Sequence, residues 1–92
     1  MSALRFLRMR EVSKRCGLSR PTLYRNIAAG IFPKPVRIGL KASGWPEHEV
    51  GAVTDAVSGG ATPEQLRELV QRLLEDRRVR AEVVLNRPAV RP

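Results

Sequence analysis

With 92 residues, the chain has room for one small domain with a modest core. Its single cysteine excludes an internal disulfide, which fits a reducing compartment, and no apolar run approaches the roughly 20 residues a membrane span needs. The net charge of +8 is unevenly placed: ten of the seventeen Lys and Arg fall in residues 1–46 against one acid, Glu11, so that half carries +9 and the remainder sums to −1.

A surplus of that size on one half points to a polyanionic partner. A membrane-surface patch would call for a Leu-, Phe- and Trp-rich amphipathic helix over those bases, and none overlaps them. Double-stranded DNA is therefore the expected partner, and a membrane is not. Arg5, Arg8 and Arg10 interrupt any leader-like apolar stretch near the N-terminus, so the expectation is a soluble cytoplasmic, nucleoid-associated protein.

Taken in chain order, residues 1–8 read as extended, with Leu4, Phe6 and Leu7 available to pack. A first helix is expected over residues 9–16, where Val12 and Cys16 sit four apart on one face. Gly17 permits a sharp turn, and Leu18 is the apolar residue that plugs it. Ser19 can N-cap a second helix running from Arg20 to Ala29. Pro21 suits its first turn, Leu23 and Ile27 form its buried stripe, and Gly30 ends it. Arg20, Tyr24 and Arg25 face away from that stripe, the arrangement by which a helix-turn-helix offers its second helix to the major groove.

Phe32-Pro33-Lys34-Pro35 forbids helix, and Val36-Arg37-Ile38 alternates as a strand does. With a turn at Gly39-Leu40-Lys41-Ala42 and a return strand at Ser43-Gly44-Trp45, these residues predict a small β-hairpin, or wing. Pro46 opens a third helix with Glu47 and Glu49 in its first turn and Val50, Val53 and Val57 at helical spacing, ending near Ser58-Gly59-Gly60. Thr62-Pro63-Glu64-Gln65 is a second start signal. The helix from Pro63 to Glu75 then carries Leu66, Leu69, Val70, Leu73 and Leu74 on one stripe, which Val79, Val83 and Val84 prolong weakly. Residues 86–92 read as a disordered tail. The expected organisation is a winged helix-turn-helix over residues 1–57, a linker and amphipathic helix over 58–85, and the tail.

Several of these residues together resemble a known family. Phe6-Leu7-Arg8-Met9-Arg10-Glu11-Val12, Gly17-Leu18-Ser19-Arg20, Thr22-Leu23-Tyr24-Arg25, Gly30, Phe32-Pro33-Lys34-Pro35, Gly44-Trp45 and Glu49-Val50 look like the AlpA family of prophage-associated regulators, itself related to phage excisionases and to the MerR-type DNA-binding domain. The likeness spans about residues 4–57, and the Gly59-Gly60-Ala61-Thr62 linker with the Leu-rich helix extends it to about residue 78. It implies a mainly α fold with a small β-hairpin, a winged helix-turn-helix that binds DNA near a promoter or attachment site and regulates transcription. Two departures stand out: Val53 occupies a position where the family commonly has a bulkier apolar residue, and Gly51 is a poor helix former, costing roughly 1 kcal/mol against Ala.

Among the candidate DNA contacts, Arg20 and Arg25 can either grip guanine O6 and N7 with two hydrogen bonds or bind phosphates. Ser19 and Thr22 serve as cap and phosphate donors, or as cap alone. Tyr24 either lays its ring on the DNA backbone or is half-buried against Phe32. Arg37, Lys41 and Ser43 lie on the wing, with Arg37 and Lys41 able to reach phosphates or the minor groove. Trp45 is expected in the core.

Cys16 and His48, one of each, are too few for a metal site, and no nucleophile–base set, paired carboxylates or glycine-rich phosphate loop is present, so neither cofactor nor catalysis is expected. Three alternatives share the basic surface: an excisionase-like recombination directionality factor, a basic protein–protein adaptor, and an RNA-binding role. Gly59-Gly60 reads as a flexible joint, which would let the helix from Pro63 to Glu75 pair with a second copy as a homodimer seam. The other reading folds that stripe onto the chain's own core.

Overall fold

The computed structural model describes residues 5–87. Strand β1 (Phe6–Leu7) is followed by helices α1 (Met9–Cys16) and α2 (Arg20–Ala28), strands β2 (Val36–Arg37) and β3 (Ser43–Pro46), and helices α3 (Glu47–Ser58) and α4 (Pro63–Leu85). The expected class, mainly α with a small wing, is what the chain adopts. Leu4, and residues 88–92 of the expected tail, lie outside the described residues.

The turn between α1 and α2 is built by Gly17 in the left-handed region at φ 67°, with the Leu18 amide donating to the Ser13 carbonyl at 3.2 Å and the Ser13 hydroxyl donating back to the Leu18 carbonyl. Val12 and Leu23 are fully buried on the two helices, and Cys16, Leu18 and Ile27 pack partly buried against the same core. Ala29 is the C-cap of α2 rather than its last helical residue. Gly30 at φ 82° then closes a Schellman motif, with its own amide bonded to Ile27 and the Ile31 amide to Asn26, both at 3.0 Å.

The expected two-stranded wing is a three-stranded antiparallel sheet in the order β1-β3-β2. Val36 pairs with Gly44 and Arg37 with Ser43 in the hairpin, and the N-terminal segment adds Phe6 opposite Pro46 and Leu7 opposite Trp45. The free edge of β3 would otherwise leave its amides and carbonyls unpaired beside the core, and β1 satisfies them. Leu7 is buried, while Phe6 stays 39% exposed. Trp45 is in the core as expected: its ring meets Phe32 edge-on with centroids 6.1 Å apart, and its indole N–H donates to the Pro33 carbonyl at 2.7 Å.

Helix α3 buries Val50 and Val53 but leaves Val57 more than half exposed, so the expected stripe stops one turn short. Gly59-Gly60 is an ordered turn rather than a loose joint. The Gly60 amide bonds Val57 and the Ala61 amide bonds Ala56, and α4 starts two residues later on a complete capping box between Thr62 and Gln65. Helix α4 runs to Leu85, beyond the end of its strong stripe. Arg78 bridges Glu75 one turn back and Glu82 one turn on, supporting the helix where apolar packing thins.

Leu66, Val70 and Leu73, the residues expected to face either a second copy or the core, are buried within this chain, and Leu73 joins the cluster of Leu7, Val12, Leu23, Phe32, Trp45, Val50 and Val53. Leu69 and Leu74 of the same stripe are only partly buried.

Candidate nucleic-acid interface

The second helix presents its polar residues as an ordered set because its first turn is capped from within. Ser19 is extended at φ −69°, and its hydroxyl oxygen accepts the Thr22 amide at 3.4 Å. The same hydroxyl donates to Thr22 Oγ1 at 3.0 Å, and Arg25 Nη2 donates to Thr22 Oγ1 at 3.2 Å. Ser19, Thr22 and Arg25 therefore form one line of hydrogen bonds, three residues apart, along the start of α2. Arg20 and Tyr24 stand exposed beside it, with Tyr24 at 51%. Among the described residues the aromatic ring pair that Phe32 makes is with Trp45.

The remaining expected residues lie on the hairpin. Arg37 and Ser43 face each other across β2 and β3, both exposed, and Lys41 is exposed in the connecting turn. Arg37 Nη1 donates to the Leu40 carbonyl at 2.7 Å and the Ile38 amide donates to Ala42 at 2.9 Å, so the turn is held in shape by its own base. Leu40 at the tip is 92% exposed, an apolar point between two cations that its unremarkable place in a turn sequence gave no reason to single out. Two clusters thus result, one on α2 and one on the wing. No hydrogen bond among the described residues joins them.

Electrostatically, the basic half is little neutralised. Arg15 is its one base held in ion pairs among the described residues, to Glu47 at 2.9 Å and Glu11 at 3.3 Å. Arg8, Arg10, Lys14, Arg20, Arg25, Lys34, Arg37 and Lys41 are exposed. Cys16 is half-buried with Sγ 3.9 Å from Thr54 Oγ1, and burial pushes its thiol above the ordinary range. His48 is exposed. Among the described residues no three His, Cys, Asp or Glu side chains are grouped to hold a metal, and no helix is long and apolar enough to cross a membrane.

Sequence reasoning missed Glu49. Placed by the sequence only in the first turn of the third helix, it is fully buried, and Arg77 from α4 grips both its oxygens, with Nε to Oε2 at 2.9 Å and Nη2 to Oε1 at 2.6 Å. The same Nη2 donates to the Lys34 carbonyl at 2.8 Å, just before the wing. A second arginine of α4, Arg67, donates from Nε to the Ala29 carbonyl at the end of α2, at 3.1 Å.

A capped helix-turn-helix followed by a basic hairpin on a three-stranded sheet defines a small winged-helix-like domain with a C-terminal helix. The sequence profile of the family described as Prophage CP4-57 regulatory protein (AlpA) matches residues 5–52, more than half of the chain, and the chain belongs to that family. An uncharacterised protein, ORF88, of Enterobacteria phage P4 is 50% identical over 48 residues, covering 52% of this chain and 54% of that protein. The chain thus spans about half the length of the curated relative it matches. No solved structure matches it.

Proposed function

We propose that this AlpA-family chain is a sequence-specific DNA-binding regulator of prophage or mobile-element type, without catalytic activity, acting in the cytoplasm on duplex DNA. The observation that carries this reading is the line Ser19–Thr22–Arg25 with exposed Arg20 and Tyr24 on a pre-capped helix, set in a half of the chain that is rich in unpaired bases. Helix α2 enters the major groove, where Arg20 reads a base edge, and the wing lays Arg37 and Lys41 on the flanking backbone. Ser19 and Thr22 offer hydroxyls to phosphate, and Tyr24 lays its ring and hydroxyl along the backbone.

The test is binding to duplex DNA across a salt series. If about 4–6 phosphates are neutralised, log K falls against log salt with a slope near about −4 to −5. Arg20→Ala costs roughly 1–3 kcal/mol and relaxes preference at one position, whereas Lys41→Ala weakens all sequences alike and lowers the slope by about 1. A slope near zero, or equal affinity for an unrelated acidic protein, removes the DNA reading. Identical, sequence-independent losses in the two variants make Arg20 a phosphate contact.

A further inference from the structure

Residues 29–35, which connect α2 to the wing, have neither helix nor strand and contain Pro33 and Pro35. Their path, and with it the placement of the wing relative to α2, must come from tertiary contacts. Helix α4 supplies a clasp at each end. At the α2 end, Arg67 Nε bonds the Ala29 carbonyl, and the Arg67 stem lies where it would meet a Cβ on Gly30, at 3.6 Å. At the wing end, Arg77 Nη2 bonds the Lys34 carbonyl, two residues before β2, while the same guanidinium is locked on Glu49. The two arginines are ten residues apart, about 15 Å along a helix. Between them, the Trp45 indole holds the Pro33 carbonyl.

The pairing at Arg77 is a poor way to obtain cohesion alone. Its side chain is 17% exposed and that of Glu49 is 1% exposed, so both charges are largely stripped of water, and apolar residues of similar volume would pack there at no such cost. What a guanidinium fork adds is direction: three hydrogen bonds fix one register of α4 against α3 and against the backbone that leads into the wing. Arg67 and Arg77 both lie beyond residues 5–52, the part matched by the family.

We propose that α4 is a strut that sets the spacing between the base-reading helix and the wing, with Arg77 and Arg67 as its positioning residues; the inference rests on the DNA-binding reading given above. Losing the strut leaves α2 in place, because the Gly17 turn and the buried Leu23 hold it against α1 and the core. The wing, by contrast, no longer meets the backbone at the right distance.

The experiment uses the full chain and the paired variant Glu49→Met/Arg77→Met, which removes both charges together, each crossed with Lys41→Ala and with Arg20→Ala. In the native background Lys41→Ala weakens DNA binding about fivefold, and in the paired variant by about twofold at most, while the Arg20→Ala loss is the same in both. Arg67→Ala, an exposed change, moves the Lys41 effect in the same direction by less.

Equal Lys41→Ala losses in the two backgrounds, with the circular dichroism spectrum retained, overturn the proposal. Should the paired variant fail to fold, Arg77→Lys takes its place. It keeps a charge for Glu49 without the fork, and the same two outcomes decide. Emission of Trp45, the chain's one tryptophan, is read on every variant without DNA. A red shift in the folded paired variant shows the loop released, and unchanged emission overturns the strut. A native chain that binds no duplex at all removes the DNA reading instead, and leaves this second arm to decide whether Arg77 holds the loop.

Discussion

Two glycines that look alike in the sequence should respond to alanine with opposite signs. Gly44 is buried in the middle of β3, and a Cβ added there would lie 2.9 Å from the Leu7 carbonyl oxygen, 3.3 Å from Ile38 Cδ1 and 3.5 Å from Phe6 Cβ. The Ile38 methyl can give way, but the Leu7 oxygen belongs to the backbone of β1, whose pairing with Trp45 would have to open. Gly44→Ala should therefore cost about 2 kcal/mol, within the usual overpacking range of roughly 1–3 kcal/mol. Gly51 is exposed inside α3 and a Cβ there meets nothing within 4 Å, so Gly51→Ala should gain about 1 kcal/mol by removing glycine's conformational entropy. For a domain of this size 1 kcal/mol moves Tm by about 4–8 °C, which puts Gly44→Ala about 8–16 °C below the native chain and Gly51→Ala about 4–8 °C above it. Thermal unfolding followed by far-UV circular dichroism measures both. A native-like Tm for Gly44→Ala would show that β1 does not press on β3, and a lowered Tm for Gly51→Ala would show a constraint on α3 other than helix propensity.

Thr62→Ala removes the side-chain half of the capping box, leaving the backbone amide at 62 on the Gln65 side chain, and should lower stability by about 1 kcal/mol, whereas Thr62→Ser should hold it; equal melting of the two would dismiss the cap. Cys16, its thiol raised by burial with the Thr54 contact opposing only in part, should be alkylated near neutral pH far more slowly in the native chain than in denaturant, and equal rates would refute this. The Glu75 carboxyl is held below the ordinary range by its hydrogen bond to Arg78 and then by that charge. A lowered folded-state value stabilises the helix above the unfolded value, about 4.3, and that support is lost as pH falls through the folded one. The helical signal should therefore be level from neutral to about pH 5 and decline in acid, and Glu75→Gln should shallow the decline; an unaltered acid slope in that variant counts against the bridge.

The order of elements was legible because each is announced by local chemistry. Gly17, Gly30 and Gly60 take the left-handed backbone that ends three helices, Ser19 and Thr62 cap the first turns of α2 and α4, and the two prolines at 33 and 35 mark the passage to the wing. What was not legible depended on distant partners. Strand β1 lies in a stretch that reads as extended, but nothing in its two residues announces the pairing; that exists because β3 has an edge to satisfy and Gly44 leaves room for Leu7. Val57 sits at helical spacing with Val50 and Val53, yet the core ends before reaching it, since periodicity reports which face is apolar and not how far the neighbouring element extends.

The candidate interface divides in the same way. Exposed side chains on a capped helix, such as Arg20 and Arg25, can be placed from spacing alone, because solvent is the default surrounding of a polar residue and nothing further has to be known. Glu49 is the opposite case. A glutamate in the first turn of a helix is ordinarily a solvated favour to the helix dipole, and only the arrival of Arg77, 28 residues later, turns it into a buried acceptor. Neither residue carries a local sign of the other, and Arg77 lies where the apolar stripe of α4 has already weakened. The charge count gives no sign of it either, since Arg77 and Glu49 both fall in the nearly neutral second half and cancel there, while the same guanidinium reaches the basic half only at the Lys34 carbonyl. The contacts that would touch DNA are therefore written locally in the chain, while the contacts that would aim them are written in pairs, and an arginine outside the part of the sequence shared with the family supplies the second member.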